Sequence, residues 1–524
     1  MAENCTTTVY LVGAGPGDPG LITMNGMNAL RRADVVVYDY LANALLLGET
    51  PAGCERVYVG KSSNQHTMTQ DQINAVLVQK AREVAARKSG GVVVRLKGGD
   101  PYVFGRGGEE GEFLRAHGVP FVEVPGITSG IAATAYAGIP VTHRDFTSSI
   151  TLVTGHEKAD ADPNDPRVNY EALAKLNGTM VFYMGVKALP QTTTRLMAAG
   201  LSADTPAAVI RWGTHPHQRT VVGTVGTIVD AVTKAGLTAP AITVIGQVVT
   251  LRDTLNWFEQ RPLFGQRVVV TRTRQHASEL TTQLTALGAQ VLEAPTIEIR
   301  PVADTRKADG LLSNLGTFHW IVFTSANGVE AAWQRVRALK KDARIFFGLR
   351  VGAIGPATAE ALERIGIVPD LLPEKFVGEE LAKALIETIG SEQMRGKRFL
   401  MLRADIARPV LREELKKCGA SVEDVAIYET ARPEKLPEDV LAAIDAGKVD
   451  WLTFTSASTA ENLHALLSDA QREKVKAAKR LSIGPITSAA LAKLGWPATV
   501  EAEQHDIGGM VAALAKIRPQ QPVA

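Results

Sequence analysis

"VYLVGAGPGDPGLIT", Val9–Thr23, is a short apolar strand that breaks into glycine and proline, and its reading decides the fold. A dinucleotide-binding loop needs G-x-G-x-x-G on a strand-to-helix turn, with the helix N-terminus facing a pyrophosphate. Gly13 and Gly15 fit that pattern, but Gly17 comes one place early and Asp18 takes the position of the third glycine. A carboxylate there repels the phosphate that the helix dipole would attract. Pro16 and Pro19 remove two more amide donors. Asp39 does lie about twenty residues further on, where a ribose-binding acid belongs, yet it does not restore the cradle. The stretch therefore reads as a tight turn that brings backbone close to a ligand, with Asp18 suited to a cationic or hydrogen-bonding group. A nicotinamide oxidoreductase is excluded.

A second loop, "VVRLKGGDPYVFGRGGEE" (Val93–Glu110), repeats the design: a strand, then Gly98 and Gly99, then Asp100 and Pro101. Taken singly, each loop reads as a solvated turn. Together with "PGITSGIAATAYAGIPVTHRD" (Pro125–Asp145) they point to one site. Around them, short β-branched runs alternate with helical stretches, the pattern of α/β layers. Strand candidates include "DVVVYD", "SITLVTG", "GTMVFYMG", "AITVIGQVV", "RVVVTR", "HWIVFTS", "RFLMLRA" and "DWLTFTS".

The chain has 524 residues, too many for one core. It is 45% hydrophobic and 21% charged with a formal net charge of +2, which gives no support to a nucleic-acid partner. Cys5, Cys54 and Cys418 are isolated; they exclude a disulfide framework and a cysteine-rich zinc site, and suit a reducing compartment. His143, His156, His215 and His217 lack metal-ligand spacing. The first residues have no signal-peptide pattern, and no run of about twenty apolar residues occurs. The expectation is a cytoplasmic α/β enzyme with no membrane partner.

A break falls at "WFEQRPLFGQR", Trp257–Arg267, and beyond it the chain repeats itself. "HWIVFTSANGVEAAW" from His319 is echoed by "DWLTFTSASTAENLHALL" from Asp450, and "VGAIGPATAEALERIG" from Val351 by "RLSIGPITSAALAKLG" from Arg480. Two similar α/β lobes follow from this. "APTIEIRP" and "VAIYETARP" lie between the echoes, each closed by proline; they read as paired crossings that make the first lobe discontinuous.

The stretches "GAGPGDPGLIT", "ADVVVYDYL", "YVGKSS", "RLKGGDPYVFGRGGEE", "PGITSG", "AGIPVTHRD", "VFYMG", "RWGTHPHQRTVVGT" and "PAITVIGQVV" resemble the uroporphyrinogen-III C-methyltransferases of the tetrapyrrole methylase family. The resemblance implies a two-domain tetrapyrrole methylase fold over residues 8–257, with sub-domains of about 8–145 and 146–257, and S-adenosyl-L-methionine in the cleft between them. The implied cofactor contacts are Pro16, Gly98, Gly99, Asp100, Val103, Thr128, Ser129, Met184 and Gly213. Asp39 is implied as proton acceptor and Lys61 as proton donor. Methylating a pyrrole carbon leaves a cation that must lose a proton, so a base has a task there. Positioning can also carry much of the rate, and Asp39 reads equally as a structural strand-end acid. A carboxylate-rich substrate calls for basic groups: Arg106 and Arg144 first, then Lys97 and Arg95. Ser62 and Ser63 depart from the family pattern, in which an arginine and another small residue are common. The family also implies a homodimer through the N-terminal half.

After a linker at 258–266, the stretches "RVVVTRTR", "FTSANGV", "IGPATAEAL", "FVGEELAKAL", "LRADIARPVLREEL", "VAIYET", "FTSAST" and "IGPITSAAL" make residues 267–518 resemble uroporphyrinogen-III synthases. That implies a two-lobed α/β fold with a two-strand hinge, lobe one of about 267–298 plus 432–518 and lobe two of about 299–431. Closing hydroxymethylbilane with inversion of its last pyrrole asks the enzyme to fold the substrate more than to push protons. Tyr428 is implied to help the hydroxyl leave, and reads equally as an ordinary hinge-strand tyrosine. Ser325, Ser456 and Thr487 stand at strand ends where they can hold carboxylates, and Arg272, Arg274, Arg403 and Lys375 are candidate basic partners.

The combined expectation is a fusion that makes uroporphyrinogen III and then precorrin-2. S-adenosyl-L-methionine is its methyl donor; no metal, no NAD and no dehydrogenase or chelatase domain are expected. The alternative makes the C-terminal half a non-catalytic tetrapyrrole-binding module. The end product, sirohaem or cobalamin, is left open.

Overall fold

A computed structural model of the chain describes residues 6–60, 68–155, 168–271, 274–406 and 409–517. They form two compact units. The first runs to Val268 and takes in 282–291 and the chain from Val511; the second holds 269–281 and 292–510.

Valine-rich runs without polar alternation make strands buried on both faces. In the first unit β1 (Thr8–Gly13), β2 (Val35–Tyr38), β3 (Glu55–Tyr58), β4 (Val92–Lys97) and β5 (Phe121–Val124) form a parallel sheet in the order β3-β2-β4-β1-β5. Val9, Leu11 and Val93 face one core; Val12, Val94 and Leu96 face another on the opposite side. Gly13 pairs with Lys97, so β1 and β4 end side by side and their loops emerge together. Ligands of open α/β sheets bind at such carboxyl ends.

A second sheet holds β6 (Ile150–Thr154), β7 (Thr179–Tyr183), β8 (Pro206–Arg211), β9 (Arg219–Thr224) and β10 (Ala241–Ile245), in the order β6-β7-β10-β8-β9. Only β6 and β7 are parallel; the other pairs are antiparallel. Uniform strand–helix alternation does not foresee this. The reason is local: residues 212–218 join β8 to β9 without a helix, and so short a connection permits only an antiparallel pair.

Residues of the expected linker pack into the first unit, with Phe258 3% and Leu263 1% exposed. Glu259 anchors them by accepting from Gln218, Thr220 and Arg252.

Beyond it the chain lays down β11 (Arg267–Val270) and β12 (Gln290–Glu293). It then crosses to β13 (Glu298–Pro301), β14 (Trp320–Phe323), β15 (Arg350–Ala353), β16 (Arg398–Ala404) and β17 (Ser421–Ala431), and returns for β18 (Trp451–Phe454), β19 (Lys479–Ser482) and β20 (Val500–Glu501). The middle strands form one sheet, β13-β17-β16-β14-β15; the flanking ones form another, β12-β11-β18-β19-β20. The two proline-closed segments do pair, antiparallel, with Ile299 opposite Thr430. Buried threonines are satisfied by neighbouring backbone: the Thr271 hydroxyl donates to the Thr453 carbonyl at 2.7 Å, and that of Thr453 to Val269 at 3.2 Å. Among the described residues, no helix is long and apolar enough to cross a membrane.

Phe182 on β7 is 1% exposed within the core of the second sheet. Phe182→Ala should remove about 3–5 kcal/mol from that domain, read as a lower urea midpoint by tryptophan fluorescence.

Candidate functional site

Four glycines, Gly13, Gly15, Gly99 and Gly126, meet at the ends of β1, β4 and β5. The Gly99 amide donates to the Gly15 carbonyl at 2.8 Å, and the Gly15 amide to the Gly99 carbonyl at 3.2 Å. A methyl on Gly13 would lie 2.5 Å from the Gly126 Cα and 2.7 Å from the Gly99 oxygen. Gly99 also has φ +72°, a left-handed conformation that favours glycine. Both quoted loops therefore close on "PGITSG" backbone to backbone.

The acids that follow the glycines tie this junction. One Asp100 oxygen accepts from the Tyr102 and Val103 amides at 2.8 and 3.1 Å; the other accepts from the Gly126 amide at 3.0 Å. Asp18 corrects its expectation. Its carboxylate is filled by the Gly20 amide at 2.8 Å and the Tyr136 hydroxyl at 2.7 Å, so it is not left open for a ligand. Its own amide donates to the Thr214 hydroxyl at 2.9 Å. Burial, aided by Asp18, pushes the Tyr136 phenol well above the usual tyrosine range. Gly17, next to Pro16, presses so closely on the His215 ring that a Cβ would overlap it. Burial holds His215 below the usual histidine range.

The second sheet supplies the facing wall. Thr128 and Ser129 open the helix Ser129–Tyr136. The Tyr183 hydroxyl lies 2.8 Å from that of Thr128 and accepts from the Gly130 amide at 2.9 Å. Tyr183 was not singled out from sequence, because a tyrosine inside "VFYMG" looks like core. Its neighbour Met184 is 54% exposed. Gly213 lies so close to Ala133 that no side chain fits between them. Phe104, Arg106, Met184, Trp212 and Thr214 all have left-handed φ between 49° and 71°. Such strain, about 1–3 kcal/mol per residue, collects where a fold is held in place for function. Val103 is half-buried against the core under the second sheet.

Asp39 stands just past β2, one-fifth exposed; one oxygen accepts from Arg95 at 2.9 Å, the other from the Leu41 amide at 3.0 Å. A Cβ on Gly98 would collide with Leu41, so the loops after β2 and β4 also touch. Lys61 and His156 lie outside the described residues. Arg95 and Lys97 are not free to grip a substrate. Arg95 is 3% and Lys97 5% exposed, and both bond to Glu110. Burial, then the Arg95 charge, pulls the Lys97 ammonium below the usual lysine range. Arg106 is exposed and paired with Glu109 at 2.5 Å; Arg144 is exposed in a turn.

In the second unit, strands run directly into helix N-termini. Ser325 follows β14 and caps the helix Ala326–Ala338, accepting from the Gly328 amide at 3.0 Å. Its hydroxyl also lies 2.9 Å from that of Tyr428, whose phenol burial pushes up. Ser456 follows β18 and caps Ala457–Leu466 in the same way. Gly355 and Gly484 open the helices after β15 and β19, and Thr487 is buried in the first turn of the latter. Tyr428 also lines a cavity of about 570 Å³ bounded by Ile297, Ile299, Pro301, Ala331 and Leu436. Arg403 is another correction: it is buried in a two-pronged ion pair with Asp424 and is not available to substrate. Lys375 is exposed, while Arg272 and the side chain of Arg274 lie outside the described residues.

Residues 8–229 match the family of tetrapyrrole (corrin/porphyrin) methylases, and residues 278–512 match uroporphyrinogen-III synthase HemD. A porphyrin biosynthesis protein HemD of Ruminiclostridium josui is 38% identical over 509 residues, 97% of this chain and 98% of that protein. The chain is a tetrapyrrole methylase fused to a uroporphyrinogen-III synthase. Its methylase half is 52% identical over 253 residues, 48% of the chain, to an S-adenosyl-L-methionine-dependent uroporphyrinogen III methyltransferase of Methanosarcina barkeri, covering 95% of that protein. A solved uroporphyrin-III C-methyl transferase of Thermus thermophilus, complexed with S-adenosyl homocysteine, is 36% identical over 47% of the chain and 99% of its own, with a TM-score of 0.39.

Tyr136→Phe should leave one oxygen of the partly buried Asp18 unpaired in the methylase half. A loss of about 1–3 kcal/mol is expected in urea unfolding, with little change in far-ultraviolet circular dichroism.

Proposed function

We propose that the chain carries out two successive steps: closure of hydroxymethylbilane to uroporphyrinogen III, and transfer of two methyl groups to that product to give precorrin-2. Membership of both families along one chain carries this reading.

The assignment of S-adenosyl-L-methionine to the methylase cleft is supported by Gly99, where no heavy atom lies nearer than 3.8 Å to the place of a Cβ and space is left beside Thr128 and Ser129, while Gly13 and Gly126 let the loops around it close on one another. Pro16, Gly98 to Asp100, Val103, Thr128, Ser129, Met184 and Gly213 would hold it. When bound, the cofactor supplies an activated methyl group for a pyrrole carbon. Asp39, kept in place by Arg95 and the Leu41 amide, is the base that takes the proton from the methylated carbon, with Lys61 as the donor. Arg106 and Arg144, both exposed, are the basic groups for substrate carboxylates.

In the synthase half the Ser325 and Ser456 helix N-termini are the carboxylate holders, since free amides and the helix dipole favour anions. Thr487, buried in the first turn of the helix after β19, is a positioning rather than a contacting group. Tyr428, bonded to Ser325 and with its phenol pushed up by burial, is the group that donates to the departing hydroxyl. A cytoplasmic setting rests on the sparse, isolated cysteines, and pairing of two chains through the methylase half on the family resemblance.

Purified protein given hydroxymethylbilane without S-adenosyl-L-methionine should yield the type III ring, identified by chromatography; with the cofactor, mass should reveal the dimethylated product. Formation of the type I ring alone would make the C-terminal half a binding module. Gly126→Ala drives a methyl into the Gly99 carbonyl. It should weaken S-adenosyl homocysteine binding at least tenfold by calorimetry (a loss of about 1.4 kcal/mol) and leave type III ring formation intact.

A further inference from the structure

Four acidic and basic side chains lie in a chain behind the methylase cleft. Asp39 accepts from Arg95 Nη2; Arg95 Nε reaches Glu110 Oε1 at 3.3 Å; Lys97 Nζ reaches the same oxygen at 2.8 Å. Glu110 is fully buried and the two cations nearly so, which leaves Asp39 as the member most open to solvent. Burying such charges is expensive, and apolar residues of the same volume would serve stability as well or better.

The hydrogen bonding of Glu110 is lopsided. Its Oε1 takes three donors, Arg95, Lys97 and Gln70, while Oε2 is buried with none among the described residues. A carboxylate placed for stability would share its donors, since each unmet buried acceptor costs free energy. This one is aimed. Arg95 is held on its other sides too, with Nη1 on the Leu96 carbonyl at 3.1 Å and the Val37 carbonyl at 3.5 Å, so its fork cannot turn away from Asp39. Glu110 lies in the first turn of the helix Gly107–Ala116, directly after the glycine loop, so one element sets both that loop and the guanidinium behind Asp39.

We propose that Glu110 is a positioning residue for methylation, acting through Arg95 to hold the Asp39 carboxylate in place. This rests on the reading of Asp39 as the base. Lys97 balances the second buried charge.

The test is a double-mutant cycle in the full chain, Asp39→Asn, Glu110→Gln and both together, with methylation kcat and both KM values measured on uroporphyrinogen III. Type III ring formation and S-adenosyl homocysteine affinity of the same preparations report folding. Asp39→Asn should cost about a hundredfold in kcat. Glu110→Gln should cost about tenfold with both KM values within twofold, and the double variant should be no slower than Asp39→Asn, because residues acting through one another are non-additive. Glu110→Gln at the wild-type kcat, or a double variant slower by the full Glu110→Gln factor, would overturn the proposal while leaving Asp39 as base. Asp39→Asn at the wild-type rate would remove the base reading itself, and the proposal with it. Should Glu110→Gln fail to fold, Lys97→Met with Glu110→Gln removes the buried pair together. The same kcat loss is expected of it, and a wild-type kcat would count against Glu110.

Discussion

The methylase half depends on the approach of three backbones at Gly13, Gly99 and Gly126, where a single methyl group would hold them apart. Everything else in its cleft is arranged around that junction. Asp100 closes it by accepting hydrogen bonds from three backbone amides, and Asp18 carries the constraint across to Tyr136 and Thr214. The same glycine spacing that fails as a phosphate cradle works as a clearance: the missing side chains let the loops close on one another, and Asp18 and Asp100 tie those loops together.

The two halves dispose of their buried arginines and lysines in different ways. The methylase half neutralises its innermost cations, Arg95 and Lys97, against Glu110 and Asp39 and leaves Arg106 and Arg144 at the surface. The synthase half commits Arg403 to Asp424 and instead presents helix N-termini capped by Ser325 and Ser456. Helix amides bind anions without the desolvation cost of a buried cation.

Much of the fold was legible because strand signals are local. Every apolar run singled out, from "DVVVYD" to "DWLTFTS", is a strand, and all but the half-buried β6 are largely buried, where a continuous β-branched pattern is kept. β3 and β9 were not foreseen: "ERVY" and "RTVVGT" are largely exposed or half-buried and carry no such pattern. The antiparallel half of the second sheet was hidden for a related reason, because the decisive feature is the short 212–218 connection and not the strands it joins. The glycine turns after β1 and β4 were readable, whereas Tyr183 and Glu110 were not readable at all. A tyrosine in an apolar strand and a glutamate in a helix's first turn have common structural uses, and nothing in the sequence reports what lies across from them.

By itself the sequence determined the α/β class, the echo that makes two lobes and the turns that need glycine. Each of these depends on backbone preference and periodicity over a few neighbouring residues. Only the tertiary structure decided which charges are free. Tyr136 meets Asp18 across 118 residues, Arg95 meets Asp39 across 56 and Arg403 meets Asp424 across 21. Whether an arginine is a ligand-binding group or half of a buried pair turns on enclosure and on a partner brought from elsewhere in the chain, and neither is written in its own stretch of sequence.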